Sequence, residues 1–453
     1  MGASCKLKNG FFVLIVLTCC SLAHGQLTAA TNAGKPPNTL TCSPAPCALP
    51  NVQVDDLTYG GEPGALVPNP NSTNEMVLAA HDANCFSDQG FYSTADGGST
   101  WSAHSCILSN NPGGQPIVGY DLNNRVFGGG SDDLAAILLR YSDNNGVHWS
   151  RSRVVDASPF GVLSPQITVD TSLFSPFENS IYVYSVHGGV SGLATRVVVS
   201  HSSDGGKHWK AVPLDQWQIP NWDSFPRLSV GEDGTLYATW LRCDRPQGGF
   251  CVKDAVPILL SKSVDGGMSW TPPSVIATTN LAPGNCLYGC LPNARLVLGV
   301  PNDPVNAVVG SGATAGVYVV FYNWTGTQMQ VEVVTSTDGG KTFGSPVPVS
   351  NSNVGDQFLS WISAAPDGTI AVSWMDRRND PANAMYQPFL TTSVDGLHFN
   401  PSWQLSSQLS DPNAWGLIIV ETVPSLWVGN AVYSTWTDTR SGLPRPELGG
   451  VQF

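Results

Sequence analysis

The chain has 453 residues, a formal net charge of −13 and only 12% charged residues. This acidic balance disfavours nucleic acids and anionic membrane surfaces as partners, because both repel a negatively charged protein. The 47 glycines, 34 prolines and 14 tryptophans are typical of a β-rich protein with many tight turns.

The first 25 residues have the pattern of a secretion signal. Two lysines precede an apolar run over residues 11–17, and the small-residue stretch Ala23-His24-Gly25 predicts cleavage before Gln26. The alternative is a membrane anchor, but the apolar run is shorter than a bilayer span requires. We therefore expect a secreted protein, extracellular or periplasmic, with no membrane span and with an extended N-terminal lead over residues 26–50.

A short phrase recurs six times in the rest of the chain: a hydroxyl residue, Asp or Asn, glycine, then an aromatic residue. The first copy reads Thr94-Ala95-Asp96-Gly97-Gly98-Ser99-Thr100-Trp101. The central acidic or amide residues of the six copies are Asp96, Asn144, Asp204, Asp265, Asp338 and Asp395. This side chain accepts hydrogen bonds from backbone N–H groups just downstream, glycine supplies positive φ, and the aromatic ring packs beneath the turn. The phrase predicts a hairpin corner repeated about every 60 residues.

The six phrases resemble the Asp boxes, or BNR repeats, of the sialidase-type β-propellers. The resemblance covers nearly all of the chain after the signal, and it implies a ring of four-stranded antiparallel blades. In that superfamily the boxes lie on the face away from the active site. They therefore indicate the scaffold and not the chemistry.

Seven segments rich in aromatic and β-branched residues are predicted as the second strands of blades. They are residues 76–80, 125–128, 181–186, 236–240, 317–322, 370–374 and 432–436. Seven units with six boxes predict that the last blade has no box and that residues 51–55 supply its outer strand, which closes the ring and covers a sheet edge. The predicted fold is an all-β, seven-bladed propeller of four-stranded antiparallel blades, with residues 51–453 as one domain. A six-bladed ring with a C-terminal extension is the alternative.

Eight of the 11 cysteines follow the signal and fall into local pairs. The pairs are Cys42 with Cys47, Cys85 with Cys106, Cys243 with Cys251, and Cys286 with Cys290. Because an exported protein meets an oxidising compartment, we expect four disulfides that hold the shape of loops. A zinc site is the alternative, but the sequence lacks paired C-x-x-C spacing.

The strand order of a propeller nominates candidate site residues. Since the boxes occupy the corners between third and fourth strands, the starts of the first strands and the ends of the second strands meet on the opposite face. Carboxylates there are candidate catalytic acids and bases for a glycosidic bond: Asp223, Asp82, Glu62, Asp132 and Asp376. Guanidinium groups and aromatic rings there are candidates for substrate binding: Arg242, Arg295, Arg378, Arg440, Trp222 and Trp361.

Repetition favours a structural role for some residues of this face. The phrases Asp376-Arg377-Arg378 and Asp438-Thr439-Arg440 recur at equivalent places, so their alternative role is to pair across blades and cap turns. Trp240, Trp374 and Trp436 also occupy matching positions, which is typical of packing between blades.

The sialidase resemblance implies a set of site residues that this chain retains in part. Sialidases share an Arg-Ile-Pro phrase, two further arginines that bind the substrate carboxylate, a catalytic aspartate, and a tyrosine nucleophile paired with a glutamate. Here the first phrase reads Gly61-Glu62-Pro63, and Asp223 lies near the place of the glutamate. Arg242 fits the second arginine, Arg295 the third, and Tyr386 is the candidate tyrosine.

The sequence predicts a sialidase-like propeller that acts on an acidic or complex glycan, as a glycoside hydrolase or a lyase. The alternative is a non-catalytic propeller that binds a glycan or a protein on the same face. A carbohydrate or glycoconjugate is the expected partner, and no oligomeric state is indicated. No cofactor is expected; structural calcium stays open at exposed clusters such as Asp143-Asn144-Asn145.

Overall fold

The structure is a computed structural model. It describes residues 40–55, 60–108, 115–132, 135–188, 194–243, 246–247, 250–251, 255–284, 286, 289–294, 302–414 and 423–453. These residues belong to one compact unit. Helix among them is limited to a single 3-10 turn, Gly312–Thr314. None of the described helical structure is long and apolar enough to cross a membrane.

Strands make up most of the described chain. In chain order they are β1 (Cys47–Ala48), β2 (Val52–Gln53), β3 (Gly61–Pro68), β4 (Met76–Asp82), β5 (Gly90–Thr94), β6 (Pro116–Tyr120), β7 (Val126–Asp132), β8 (Ala136–Ser142), β9 (Arg153–Ala157), β10 (Val162–Val169), β11 (Ile181–Gly188), β12 (Thr195–Ser202), β13 (Lys210–Pro213), β14 (Trp222–Val230), β15 (Leu236–Cys243), β16 (Pro246–Gln247), β17 (Phe250–Cys251), β18 (Ala255–Ser263), β19 (Ser274–Asn280), β20 (Val305–Val309), β21 (Gly316–Trp324), β22 (Met329–Ser336), β23 (Val347–Pro348), β24 (Gln357–Ala364), β25 (Ile370–Asp376), β26 (Gln387–Ser393), β27 (Trp403–Gln404), β28 (Ser425–Val428), β29 (Ala431–Asp438) and β30 (Arg445–Gln452).

The strands form seven antiparallel blades, each connected in up-and-down order. Blade 1 contains β3–β5, blade 2 β6–β9, blade 3 β10–β13, blade 4 β14, β15, β18 and β19, blade 5 β20–β23, blade 6 β24–β27, and blade 7 β28–β30. In blade 1 the fourth position is reduced to a bridge between Phe91 and Ser105. The first strand of each blade contacts the first strands of its neighbours, so these strands surround a central channel. The predicted seven-bladed, all-β propeller is confirmed.

The first two strands and the last strand meet in blade 7. Both β1 and β2 pair with β30, with Cys47 opposite Gln452 and Val52 opposite Leu448. The outer strand predicted from residues 51–55 is therefore present, and a second short strand precedes it within the segment assigned to the N-terminal lead. This pairing covers the last sheet edge and closes the ring.

The recurring phrase forms a hydrogen-bonded corner at the end of a third strand. In the first corner the Thr94 hydroxyl donates to Asp96 over 2.8 Å, and the Thr100 N–H donates to the same oxygen over 2.9 Å. The Gly98 N–H donates to the Thr94 hydroxyl over 3.1 Å, and Gly98 has a φ of 89°, which residues with a side chain rarely adopt. The hydroxyl-to-carboxylate or hydroxyl-to-amide bond recurs at Asn144, Asp204, Asp265, Asp338 and Asp395.

Four first strands carry a bulge near the start of the strand: β3, with a shift between Pro63 and Ala65, and three others. The pairing register also shifts in β10, β14 and β24. One residue at each of the bulges in β10, β14 and β24 has positive φ: Ser164 at 48°, Phe225 at 54° and Leu359 at 50°. Side chains make this conformation costly, and such strain is concentrated beside functional sites. In β14 the bulge separates Asp223, at the start of the strand, from Arg227 in its middle.

Packing between blades and four disulfides complete the scaffold. Trp240, Trp374 and Trp436 are fully buried at equivalent second-strand positions, in agreement with the packing role predicted for them. The disulfides are the four predicted local pairs: Cys42–Cys47, Cys85–Cys106, Cys243–Cys251 and Cys286–Cys290. Disulfides of this kind are typical of proteins that fold in an oxidising compartment.

Candidate functional site

The two faces of the ring carry different residues. Because the strands alternate in direction, first and third strands start, and second and fourth strands end, on one face, which we call the charged face. The opposite face carries the corner phrases, and we call it the corner face. Asp223 at the start of β14 lies opposite Arg242 near the end of β15, so both residues are on the charged face.

Asp223 and Arg242 form a buried ion pair in blade 4. Arg242 donates from Nε to Asp223 Oδ1 over 2.6 Å and from Nη2 to Oδ2 over 2.8 Å, which is a bidentate geometry. The Asp223 side chain is only 1% exposed. Burial outweighs the attraction to Arg242 and raises the pKa of Asp223 to about 6. Asp223 can therefore gain or lose a proton near neutral pH.

Blade 3 contributes a second carboxylate to the same guanidinium. Arg242 Nη2 also donates to Asp215, which follows β13 at its charged-face end and has a buried side chain. Burial opposes the charge of Arg242, but hydrogen bonds and attraction from Asp223 and Asp215 raise the pKa of Arg242 above its usual value. One guanidinium thus links carboxylates from two adjacent blades.

Arg196 lies next to Asp215 at the charged-face end of blade 3. It is near the start of β12, opposite His187 in β11. Its guanidinium carbon lies 4.4 Å from the centroid of the Trp217 ring. Burial lowers the pKa of Arg196, and the negative charge of Asp215 opposes this shift. Trp217 is 39% exposed, so an aromatic surface is open to solvent beside a cation.

A histidine–aspartate pair lies at the other end of this set. His187 Nε2 is 2.8 Å from Asp156 Oδ2, and both side chains are largely buried. The Ser185 hydroxyl donates to the same carboxylate oxygen over 3.4 Å. A carboxylate bonded to one ring nitrogen orients the imidazole, which is an arrangement that suits a general base. We call the whole set the blade 3–4 row, after the blades that supply all of it except Asp156 from β9 of blade 2: Asp156, His187, Arg196, Asp215, Trp217, Asp223 and Arg242.

The blade 3–4 row combines groups that suit an acidic, ring-shaped ligand. Guanidinium groups bind carboxylates in a planar, bidentate way, and an exposed indole offers a flat apolar surface. Asp223 and His187 are groups that can transfer protons. The row can therefore hold an anionic ligand and place it beside proton donors and acceptors.

Asp376 and Arg378, two of the predicted site residues, pair with each other in blade 6. Arg378 Nη2 donates to Asp376 Oδ2 over 2.6 Å, and Trp374 Nε1 donates to the same oxygen over 2.7 Å. The Asp376 side chain is fully buried. Blade 7 repeats this unit with the predicted residue Arg440: Trp436, Asp438 and Arg440. Arg378 also donates to Ser350 at the end of blade 5, and Arg440 to Ser406 at the end of blade 6. These residues are therefore bonded within and across blades, as the structural alternative for them predicts.

Asp82 and Glu62 lie in blade 1, apart from the blade 3–4 row. Asp82 is fully buried and accepts hydrogen bonds from the Tyr92 hydroxyl over 2.7 Å and the Asn84 N–H over 2.8 Å. These bonds secure the loop that follows β4. Glu62 is also buried, at the second position of β3.

Tyr386, the candidate tyrosine of the resemblance, is fully buried before β26. Its hydroxyl donates to the backbone carbonyl of Thr437 over 2.8 Å. Burial, and after it the negative charges of Glu62 and Asp438, raises the pKa of Tyr386 well above its usual value. These surroundings disfavour the phenolate that an activated nucleophile needs.

The remaining predicted residues are spread over the ring. Asp132, at the end of β7, has one carboxylate oxygen, Oδ1, without a hydrogen-bond partner among the described residues. Trp222, the first residue of β14, is half-buried and packs against the apolar cluster between blades 4 and 5. Trp361 lies deeper than the rim position that the sequence predicted: it is on the channel wall, with the Arg227 guanidinium 5.2 Å from its ring centroid. Arg295 lies outside the described residues.

The structure therefore brings two predicted residues, Asp223 and Arg242, into direct contact. The sequence reasoning did not select Asp156, Arg196, Asp215 or Trp217, because it considered the first and second strands alone. A usable signal was present, since third strands also start and fourth strands also end on the charged face. Arg196 is near the start of a third strand, and Asp215 follows a fourth strand.

Two clusters of side chains have residue types that can bind metal ions. Among the described residues, Cys85, His104 and Cys106 have potential ligand atoms within 4.8 Å of one another. Both sulfur atoms are joined in a disulfide and are not the thiolates that bind zinc. At the cluster considered for calcium, Asp143 accepts from Arg125 over 2.7 Å and the Asn145 amide donates to the Thr94 carbonyl over 2.8 Å. Structural calcium there stays a prediction.

Comparisons with solved structures show the shared fold. An ulvan lyase from a polysaccharide lyase family is similar to this chain, with a TM-score of 0.54 and 11% identity over 89% of this chain and 96% of that one. A structure of an ulvan lyase of this family bound to a -[GlcA(1-4)Rha3S]- fragment has a TM-score of 0.53, with the same identity and coverage. A leech intramolecular trans-sialidase has a TM-score of 0.47 and 13% identity, over 78% of this chain and 69% of that one. No protein-family model and no curated protein matches the chain.

Proposed function

We propose that this protein is a secreted, carbohydrate-active propeller that binds an acidic glycan at the blade 3–4 row and cleaves it there. The observation that carries the proposal is the juxtaposition, on one face, of two guanidinium groups, a carboxyl group with a pKa of about 6, and a buried histidine–aspartate pair. Export is supported by the four disulfides. A glycan substrate is supported by the similar propeller that is bound to a GlcA–Rha3S fragment.

Recognition of the glycan is assigned to Arg196 and Trp217. Arg242 is committed to Asp215 and Asp223, whereas Arg196 Nε has no hydrogen-bond partner among the described residues. Arg196 is therefore the better-placed guanidinium for a sugar carboxylate. The exposed indole of Trp217 lies against the same guanidinium and can pack on the sugar ring.

Proton transfer is assigned to Asp223 or to His187, according to the reaction. In a hydrolase, Asp223 would donate a proton to the glycosidic oxygen, a role that its raised pKa favours. In a lyase, the His187 imidazole, held by Asp156, would remove the proton next to the sugar carboxylate bound by Arg196. Both reactions use the same carboxylate-binding guanidinium.

A non-catalytic glycan-binding propeller is the second candidate. The observation that favours it is the burial of Asp223, whose two oxygens both accept from Arg242. A carboxylate held in this way can serve to fix the position of Arg242. The protein would then bind acidic glycans through Arg196 and Trp217 and release no product.

A substrate screen tests the proposal and separates its forms. Purified protein is incubated with sialosides and with a panel of uronic-acid polysaccharides, and the products are assayed for new reducing ends and for C4–C5 unsaturation. Reducing ends without unsaturation identify a hydrolase, and the two signals together identify a lyase. Binding without either product identifies the second candidate. Absence of both binding and turnover across the acidic glycans contradicts the proposal.

Matched charge variants locate the binding site on the molecule. Arg196→Gln removes the guanidinium that is proposed to bind the sugar carboxylate on the charged face. We expect it to weaken glycan binding by about 10- to 100-fold. Lys207→Gln removes a positive charge from an exposed corner phrase, and we expect it to leave binding unchanged. Equal losses in the two variants would indicate attraction to net charge and would exclude the blade 3–4 row as the specific site.

A further inference from the structure

A cavity of about 310 Å³ occupies the corner-face end of the central channel. Its walls come from the first strands of blades 1 to 6. Pro68 and Tyr120, at the ends of β3 and β6, and Thr171, just beyond β10, are among its lining residues. These strand ends lie on the corner face, so the cavity opens away from the blade 3–4 row.

Polar side chains line this cavity although they are almost fully buried. Gln166, Arg227 and Asn306 are 5%, 4% and 6% exposed. Each has one atom without a hydrogen-bond partner in the described part of the chain: Gln166 Nε2, Arg227 Nε and Asn306 Oδ1. Because buried polar groups are normally satisfied, these three atoms point to water or a ligand as an additional partner.

Together with their ion-pair partners, the titratable groups that line the cavity carry no net charge. Arg227 forms an ion pair with Asp303, and both side chains are buried. Burial raises the pKa of Tyr120 and of Tyr184, so both hydroxyls stay protonated at neutral pH. An anion would meet a guanidinium that is already neutralised. The cavity therefore favours a neutral ligand.

The size and the remaining lining restrict the ligand further. Small-molecule sites commonly have volumes of about 300 to 1,000 Å³, so this cavity suits one small ring and not an oligosaccharide. The Trp361 indole and several aliphatic side chains provide an apolar wall, while Gln166 and Asn306 supply polar groups. This mixture of a flat apolar wall and a few polar groups is typical of specific small-molecule sites.

We propose that the corner-face end of the channel is a second ligand site, which takes one neutral, polyhydroxylated molecule of monosaccharide size. A hydroxyl group both donates and accepts, so a ring of hydroxyls can satisfy the Gln166 and Arg227 donors and the Asn306 acceptor together. The ring then packs against Trp361. This site is separate from the blade 3–4 row and does not depend on the function proposed for that row.

Calorimetric titration tests the proposal with D-glucose, D-galactose, D-mannose, L-rhamnose and L-fucose as probes, followed by a crystal soaked with the tightest binder. We expect saturable binding of at least one sugar, seated against Gln166 and Trp361. Thr171→Trp places a bulky ring at the exposed mouth, and Gln166→Leu removes an unpaired donor. Each is expected to weaken binding by about tenfold or more. Trp217→Ala, on the charged face, is the control and should leave this binding unchanged.

Three sets of results would overturn the proposal. The first is the absence of saturable binding, with ordered water alone in the cavity of the soaked crystal. The second is binding that is lost in Trp217→Ala but persists in Thr171→Trp and Gln166→Leu, since the sugar then occupies the charged face. The third is loss of binding in all three variants. Thr171 is exposed, so Thr171→Trp keeps the test valid if Gln166→Leu fails to fold.

Discussion

The Asp–Arg pairs of blades 6 and 7 and the Asp–Arg pair of blade 4 use the same residue types in different surroundings. In blade 6, Asp376 is held by Arg378 and Trp374, which are close to it in sequence. In blade 4, Asp223 and Arg242 come from different strands, and Asp215 reaches the same guanidinium from the neighbouring blade. The first arrangement recurs in blades 6 and 7, whereas the second joins charged side chains of two blades.

The difference teaches which charges maintain the scaffold. The pKa of Asp223 is raised to about 6 although Arg242 binds both of its oxygens, so burial costs the ionised carboxylate more than the pairing returns. A charged cluster kept in spite of such a cost is typical of a functional site. A local unit that recurs in blades 6 and 7 is typical of residues that stabilise the fold.

Replacing the buried residues Asp223 and Asp376 should distinguish a functional from a structural aspartate most strongly. In a hydrolase, Asp223→Asn is expected to lower turnover of the acidic glycan by about 100-fold or more, because an amide cannot transfer the proton; in a lyase, His187→Gln is expected to cause this loss. Asp376→Asn is expected to leave turnover within about twofold, since it lies in a different blade and touches no residue of the row. Steady-state rates on the glycan identified by the screen provide the measurement. Similar losses in both variants would remove the functional distinction between blades 4 and 6.

The stability of the repeated unit gives the next largest effect. Asp376→Ala leaves the buried Trp374 N–H and the Arg378 guanidinium without their shared acceptor, and we expect the free energy of unfolding to fall by about 3 kcal/mol. Asp438→Ala should produce a similar loss, because blade 7 repeats the unit. Urea unfolding measures both. A loss confined to one of the two variants would show that the units are not equivalent.

Glu447 sharpens the comparison as a buried acid outside the blade 3–4 row. Burial, and then the negative charge of Asp438, raises the pKa of Glu447 to about 7. Between about pH 4.5 and 7 the folded chain retains this proton while the unfolded chain has lost it, so the stability contribution of Glu447 falls as pH rises. Glu447→Gln should therefore be more stable than the native chain by about 2 kcal/mol at pH 8 and equal to it near pH 4. A gain of the same size at both pH values would contradict this assignment.

The smallest effect is expected at the exposed end of the row. Trp217→Ala removes an indole that is 39% exposed, and we expect glycan binding to weaken by about tenfold. The free energy of unfolding should change by no more than about 0.5 kcal/mol, because little packing is lost. Titration with the active glycan and urea unfolding provide the two measurements. A large loss of stability with normal binding would place Trp217 in the scaffold with Trp374.

Much of the fold could be predicted because its signals are local. The hydroxyl, acidic and glycine residues of a corner phrase, such as Thr94, Asp96 and Gly98, bond to one another within a few positions. Cysteine pairs also lie close in sequence, and all four formed as predicted. Ring closure followed from the need to cover the edge of β30, and the structure adds β1 to the predicted strand.

The candidate site was predicted less completely because its residues are distant in sequence. Asp223 and Arg242 were found from the ends of first and second strands, whereas Asp156, Arg196 and Asp215 belong to third and fourth strands or follow them. Whether a strand-end charge is occupied locally, as Asp376 is, depends on the positions of side chains around it. Strand order alone does not give those positions.

By itself, the amino-acid sequence determined the repeated unit, the number of blades, the disulfide pairs and the division into two faces, because each depends on contacts within a blade or on strand direction. The tertiary structure alone decided which charges meet across blades 3 and 4, that burial raises the pKa of Asp223, and that a polar cavity remains at the corner-face end of the channel. These properties depend on the packing of side chains between blades, which sets distance and burial and leaves no pattern in the order of residues.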